Sequence, residues 1–235
     1  MGEFVVYETD ERMFFLKRQL AGFRPVADTH IFAPNLLLSK ERLEGVKEGD
    51  HLVCGRLEAD ALDKGRGAIV HPILKNERFQ AVNARLTAEG ALGILIEHSM
   101  HSLWDMRVLV IGFGRTGAAM CRILDRLGVE TDVATEGSPR PAGAFARRVT
   151  TASSANLGDY DAIVNTVPAK LISDERILGV RHDVVYIDLA STPGADIDRL
   201  KTLGLDADIY PALPAKCSPA SAATAMRDYI LEVTA

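Results

Sequence analysis

The chain has 235 residues, room for one or two domains at about 150 residues apiece, and it can bury a core without metal or disulfide staples. Apolar residues make up 47% and charged residues 25%, an ordinary globular balance; the net charge of −5 opposes non-specific attraction to nucleic acid or acidic membranes but leaves a small anionic substrate open. Cys54, Cys121 and Cys217 lie far apart with no CxxC pair, so no zinc site, no other metal and no disulfide framework is expected, and a reducing cytoplasm fits.

The opening MGEFVVYETDERMFF carries acids where a secretory leader needs a basic start. The uncharged apolar stretch at residues 90–96 is too short to cross a bilayer. Residues 3–8 read as a short buried strand. A helix follows over 10–21, with Asp10 as cap and Met13, Phe14, Leu16, Leu20 and Ala21 marking an apolar face. Apolar runs at 29–33, 51–54 and 67–71 read as further strands, so residues 1–86 are expected to form a small α/β domain. Its first strand-to-helix turn, Tyr7-Glu8-Thr9-Asp10, has no glycine and two acids. A diphosphate has no approach to that backbone, and no second nucleotide site is read there.

Residues 87–98 read as a helix with Thr87 as N-cap and Glu89 and Glu97 near its ends. Gly90 and Gly93 each cost it about 1 kcal/mol relative to alanine, which implies close packing against that face. With a joint at His101 to Asp105, residues 87–105 form the connection to a second domain. From 106 to 218 strands at 108–111, 130–135, 162–165, 184–189 and 207–210 alternate with helical segments, the first at 116–127. That alternation predicts an α/β fold, a Rossmann-type doubly wound parallel sheet, beside the smaller N-terminal α/β domain. In the last segment, 219–235, Ala223, Met226, Ile230 and Val233 recur at helical spacing over 221–234, on a helix expected to pack back.

Gly112-Phe113-Gly114-Arg115-Thr116-Gly117 fits GxGxxG. The bare string is weak, but its context meets what dinucleotide binding requires. Val108-Leu109-Val110-Ile111 before it suits a strand buried on both faces, and Ala118 to Leu124 after it suits a helix. Gly112 allows the tight turn, Gly114 the approach of a diphosphate to backbone, and Gly117 close packing of helix on strand. The diphosphate then meets the positive end of a helix dipole. The next strand ends at Thr135-Glu136, where a carboxylate accepts from the adenosine ribose hydroxyls and repels a 2′-phosphate. NAD is thereby favoured over NADP, with Arg140, Arg147 and Arg148 as the arginines that would argue otherwise. Asn165-Thr166-Val167-Pro168 and Asp188-Leu189-Ala190-Ser191-Thr192 follow two more strands and are expected at the nicotinamide end of the same cleft.

Asn76-Glu77-Arg78-Phe79, Asn83, Thr87-Ala88-Glu89-Gly90-Ala91 and the glycine motif stand in an ordered series. After them come Asn165-Thr166-Val167-Pro168, Asp188-Leu189-Ala190-Ser191 with Pro193-Gly194, and Leu213-Pro214 with Lys216 and Pro219. In this series the chain resembles the A-type subunit of dipicolinate synthase, from endospore-forming bacteria. The resemblance implies an NAD(P)-dependent oxidoreductase subunit that helps convert dihydrodipicolinate to dipicolinate in sporulation, with a second, flavoprotein-like subunit, the B-type, as partner. Against that family's pattern the first domain is short and lacks a glycine-rich opening. Glu136 and Thr192 stand where arginine is expected and Ala215 where glycine is, which weighs against NADP and against an arginine clamp.

Aromatising a dihydropyridine dicarboxylate requires loss of a hydride and a proton, so the protein must orient the ring and neutralise two carboxylates. The substrate-binding candidates are the helix N-terminus at Thr87, the hydroxyls of Ser191 and Thr192, and Lys216; without the resemblance Lys216 reads as a solvated lysine. Glu89 is the candidate proton acceptor and Lys216 its catalytic companion, although an acid near a helix start is also a simple dipole partner. Arg115 either covers the diphosphate or faces solvent. Two alternatives stay open. One is a partner or sensor protein that binds NAD without turnover. The other is a 2-hydroxyacid dehydrogenase, which needs a histidine base; His182, the only histidine after the glycine motif, falls at the wrong end of the sheet for that role. His98 and His101 suit a hinge better than a metal. The state of assembly, homo-oligomer included, is left open.

Overall fold

Alternating apolar strands and helices build a main parallel sheet in each of two units. The computed structural model describes residues 1–59, 61, 67–136 and 145–234, and the units are Met1–Leu86 with Pro214–Ala235, and Thr87–Leu213.

In the first unit the strands are β1 (Phe4–Val6), β2 (Thr29–Ile31), β3 (Leu37–Leu38), β4 (His51–Cys54), β5 (Arg56–Leu57) and β6 (Ile69–Pro72). β1, β2, β4 and β6 form one sheet in that order, all parallel, and β3 pairs with β5. β1 is an edge strand with Val5 exposed, not the buried strand expected from its apolar letters. Helix α1 (Glu11–Leu20) starts at Asp10, whose carboxylate accepts from the Met13 N–H, and ends on Lys17 and Arg18, favourable at the negative end of the helix dipole. It buries Met13, Leu16 and Leu20 beside Ile31, Val53 and Ile73.

Helix α2 (Glu77–His98) begins ten residues before the expected start. Asn76 is the physical reason: its Oδ1 accepts from the Phe79 N–H at 2.8 Å, satisfying a donor that a helix start otherwise leaves open. Thr87 therefore lies in mid-helix. Gly93 has no heavy atom within 4 Å of where a Cβ would stand, among the described residues, so the close packing expected of it is absent.

The second unit contains β7 (Arg107–Ile111), α3 (Arg115–Arg126), β8 (Glu130–Ala134), β9 (Arg148–Thr150), β10 (Ala162–Asn165), α4 (Asp174–Ile177), β11 (Val185–Asp188), α5 (Ile197–Thr202) and β12 (Asp206–Ile209). These strands form a parallel sheet ordered β12-β11-β10-β7-β8-β9. Along β7 successive side chains take opposite faces: Val108 and Val110 join Met120 and Leu124 of α3, while Leu109 and Ile111 join Tyr160, Ile163 and Tyr186. That burial on both faces explains the uninterrupted apolar run. The strand order reverses between β7 and β10, which opens a crevice at the carboxyl ends of the strands. β9 is an addition to the strands expected from the sequence.

Past β12, α6 (Leu213–Cys217) and α7 (Pro219–Thr234) end the chain. α7 returns to the first unit, where Ala223, Met226 and Ile230 share the core of Met13, Leu16 and Phe79.

Candidate nucleotide-binding site

β7 hands over to α3 through the glycine turn. Gly112 has φ +95°, a left-handed conformation that favours glycine, and its N–H donates to the Ala134 carbonyl at 2.8 Å. A Cβ there would stand 2.5 Å from Thr166 Oγ1, and one on Gly117 would stand 2.1 Å from the Gly112 carbonyl oxygen. Both glycines are demanded by packing. Thr166 closes the turn from the neighbouring strand end by donating its hydroxyl to the Ile111 carbonyl at 2.8 Å.

Gly114 behaves differently. It caps α3 with no side-chain hydrogen bond to the helix start, and nothing among the described residues comes within 4 Å of its missing Cβ. The backbone is thus bare on one side at the positive end of a 12-residue helix, the arrangement a diphosphate needs. Phe113 and Thr116 are half-buried and Arg115 is exposed. Beyond β8, Thr135 is half-buried, its N–H donating to the Thr150 carbonyl at 2.9 Å, and Glu136 is exposed. These residues fit a dinucleotide.

The arginines set against Glu136 lie elsewhere. Arg147 pairs with Glu130 at 2.9 Å and Asp132 at 3.1 Å, and Arg148 with Asp132 at 3.3 Å and the Tyr160 hydroxyl at 3.0 Å. Asp132 is buried in the middle of β8 and draws both guanidinium groups towards it, away from the end where Glu136 sits. Arg140 lies outside the described residues.

On the other side of the crevice the strand ends are braced internally. Asp188 is fully buried. Its carboxylate accepts from Asn165 Nδ2 at 3.0 and 3.1 Å, the Tyr186 hydroxyl at 3.1 Å, and the Ala190 and Gly194 N–H groups at 3.0 and 2.8 Å. Burial and the adjacent Asp188 carboxylate push the Tyr186 hydroxyl far above the usual tyrosine range, keeping it a donor. Asn165, also fully buried, accepts from the Val167 N–H at 3.1 Å. Both side chains are spent on holding the loops, so the surfaces left for a ligand are Thr166, Val167, Leu189 and Ala190, half-buried, and Pro168, exposed. Nothing in the chain's letters distinguishes a bracing Asp188 from one that contacts a ligand, and the part of Tyr186, buried in mid-strand, has no sequence signal at all.

The substrate candidates fall on different elements and in both units. Ser191 and Thr192 are exposed on the loop after β11; Glu89 is exposed and Thr87 half-buried on α2, both in the second unit; Lys216 is exposed on α6 in the first unit. Thr87 loses the role given to it, because its N–H is no longer at a helix start. Glu89 loses its dipole argument for the same reason. Burial pushes the Cys54 and Cys121 thiols up to about 11 and about 12, which leaves both unreactive. Among the described residues no cluster of three or more histidine, cysteine or carboxylate groups could hold a metal, and no helix is long and apolar enough to cross a membrane.

No family model matches the chain. The A-type subunit of dipicolinate synthase from Bacillus subtilis (strain 168) is 25% identical over 168 residues, 69% of this chain and 57% of that protein, so the match spans less than two-thirds of the relative. The crystal structure of the corresponding dipicolinate synthase subunit from Bacillus halodurans superposes with a TM-score of 0.81 at 20% identity, over 100% of this chain and 96% of that one. A D-lactate dehydrogenase with NAD+ from Lactobacillus jensenii gives 0.61 at 11% identity, over 100% and 96%. The chain thus has the Rossmann-type α/β fold of these dehydrogenases, and among them it is the A-type dipicolinate synthase subunit that it resembles in sequence as well as in fold.

Proposed function

We propose that the chain is an NAD-dependent oxidoreductase subunit that converts dihydrodipicolinate to dipicolinate and works with a second, flavoprotein-like subunit. The observation that carries the cofactor is Gly114: open backbone at an uncapped helix start, one turn from two glycines that packing forbids to change. Sequence likeness to the A-type dipicolinate synthase subunit supports the substrate. Bound nicotinamide supplies a hydride acceptor, and the chain's own residues do the rest. The α3 N-terminus holds the diphosphate, Glu136 takes the ribose hydroxyls, and the Asn165–Asp188 brace holds Thr166, Val167, Leu189 and Ala190 against the remaining part of the cofactor. Ser191 and Thr192 donate to a substrate carboxylate.

The 2-hydroxyacid dehydrogenase reading is not favoured. The carboxylate-supported histidines of the second unit are His98, 2.9 Å from Asp206, and His101, 3.1 Å from Asp183. Asp206 opens β12 and Asp183 precedes β11, so both pairs sit at the amino ends of the strands, away from the glycine turn. His182 is exposed before β11.

The test is to mix the protein with NAD or NADP and dihydrodipicolinate, with and without the second subunit, and to follow dipicolinate absorbance. Product with NAD is expected. NAD binding without product in any combination would leave the sensor reading instead, and no binding of either nucleotide would end both.

A further inference from the structure

Asp132, Asp161 and Asp188 are the buried acids among the described residues of the second unit, and two of them are neutralised. Asp132 has Arg147 and Arg148 beside it, and Asp161 has Arg181 at 2.8 Å. Asp188 is the exception. Among the described residues it pairs with no lysine, arginine or histidine, and every partner it has is neutral. Oδ1 accepts from Asn165 and Ala190, and Oδ2 from Asn165, Tyr186 and Gly194. Apart from the Tyr186 hydroxyl these partners are N–H groups, which only donate, and both oxygens are called on. That is the pattern of an ionised carboxylate.

Bracing two loops does not by itself call for a charge, since burying an unpaired anion costs more than burying a neutral group with the same bonds. The place of this anion gives the cost a use. Asp188 is the last residue of β11 and stands in register with Asn165 of β10, which in turn faces Ile111 of β7. Ile111 directly precedes the glycine turn, so turn and carboxylate lie on one edge of the sheet, roughly 10 Å apart at the spacing of neighbouring strands. That edge is where open α/β sheets take ligands. The carboxylate is also held still. The Leu171 and Ile172 N–H groups both donate to the Gly194 carbonyl at 2.9 Å, so the loops after β10 and β11 are tied together around it. A fixed charge out of contact with water acts over a longer range than one in solvent.

We infer that Asp188 selects the oxidation state of the cofactor, its unpaired negative charge favouring NAD+ over NADH; this rests on the nicotinamide cofactor proposed above. The two forms share adenine, riboses and diphosphate. They differ by one hydride, and so by one positive charge on the nicotinamide ring. Whatever Gly114 and Glu136 contribute is common to both forms and does not separate them. An anion fixed at the other end of the crevice does. Asp188 exerts this preference through its field, because its hydrogen bonds are all spent on the loops. A subunit that oxidises its substrate needs the cofactor in the oxidised form, and a weaker hold on NADH favours exchange after turnover.

The test is to titrate NAD+ and NADH into the full chain by calorimetry, for the wild type, Asp188→Asn and Tyr186→Phe. The wild type is expected to bind NAD+ about tenfold more tightly than NADH, and Asp188→Asn to bring the two affinities within about twofold of each other. Loosened loops alone would weaken both forms together, so the ratio separates charge from bracing. Tyr186→Phe removes one bond of the brace and keeps the charge, and its ratio should match the wild type. An Asp188→Asn ratio equal to that of the wild type overturns the assignment, as does a preference lost in Tyr186→Phe. If Asp188→Asn does not fold, the other two proteins decide: a preference for NAD+ in both supports the assignment, and NADH bound as tightly as NAD+ or more tightly refutes it. Binding of neither nucleotide to the wild type means that the cofactor reading has failed, and this inference falls with it. Binding of both with NADH preferred leaves the cofactor reading standing and refutes this inference alone.

Discussion

Gly112 and Gly114 are two residues apart and should respond to added carbon in opposite ways. At Gly112 a side chain meets both a left-handed φ and the Thr166 hydroxyl. Gly112→Ala is expected to cost about 2 kcal/mol or more in urea denaturation. Gly114→Val enters open space from an extended conformation but puts a poor N-cap residue in place of a good one, so stability should fall by only about 1 kcal/mol. NAD affinity should nevertheless fall at least about tenfold, by titration calorimetry. If Gly114→Val keeps its NAD affinity, the diphosphate is not where we put it. Ala212 offers a converse case: it holds φ +57° without being glycine, so Ala212→Gly should gain up to about 1 kcal/mol. The glycine turn is readable in the sequence because each glycine answers a separate geometric demand. Ala212 is not, since alanine carries no mark of the backbone it is forced to adopt.

Elements are legible where burial shapes their letters. β7, β10 and β11 are buried on both faces and read as apolar runs, so their bounds fall within a residue or so of those expected. The start of α2 is hidden because Thr87-Ala88-Glu89 imitates a helix start in its middle, while the true cap, Asn76, precedes charged residues that conceal it. Asn76→Ala should therefore cost about 1 kcal/mol. Gly93→Ala should stabilise α2 by about 0.5–1 kcal/mol in thermal melts, because nothing among the described residues stands in the way of the methyl. β9, three residues opening on Arg148, has no apolar pattern to find. A pH effect belongs to the β4–β6 pair. His71 Nε2 and His51 Nδ1 are 3.2 Å apart, and burial together with His51 holds His71 below the usual histidine value. The unfolded chain then binds the proton more readily than the folded one. This contribution to stability is full above about pH 6.5 and is lost as pH falls from there through the folded-state value. Denaturation midpoints of wild type and His71→Asn, compared from pH 8 downward, should converge on the acid side; a constant gap would contradict this.

For the molecule as a whole, composition, strand pattern and the apolar spacing of the last helix anticipate two α/β units and a final helix that packs back, but leave open whether it joins the connecting helix or the first domain. The N-terminal sheet is incomplete without α7, whose Ala223, Met226 and Ile230 cover Met13 and Leu16, because those core partners are separated by some two hundred residues that no local pattern links. A chain ending at Leu213 should keep Thr87–Leu213 resistant to protease while residues 1–86 are digested; equal resistance of both parts would count against the division. The same discontinuity orders events on the ribosome. The Rossmann-type unit has all its described strands once residue 209 has emerged, whereas the other unit must wait for residues 219–234 to leave the exit tunnel, so residues 87–213 can mature before residues 1–86 do.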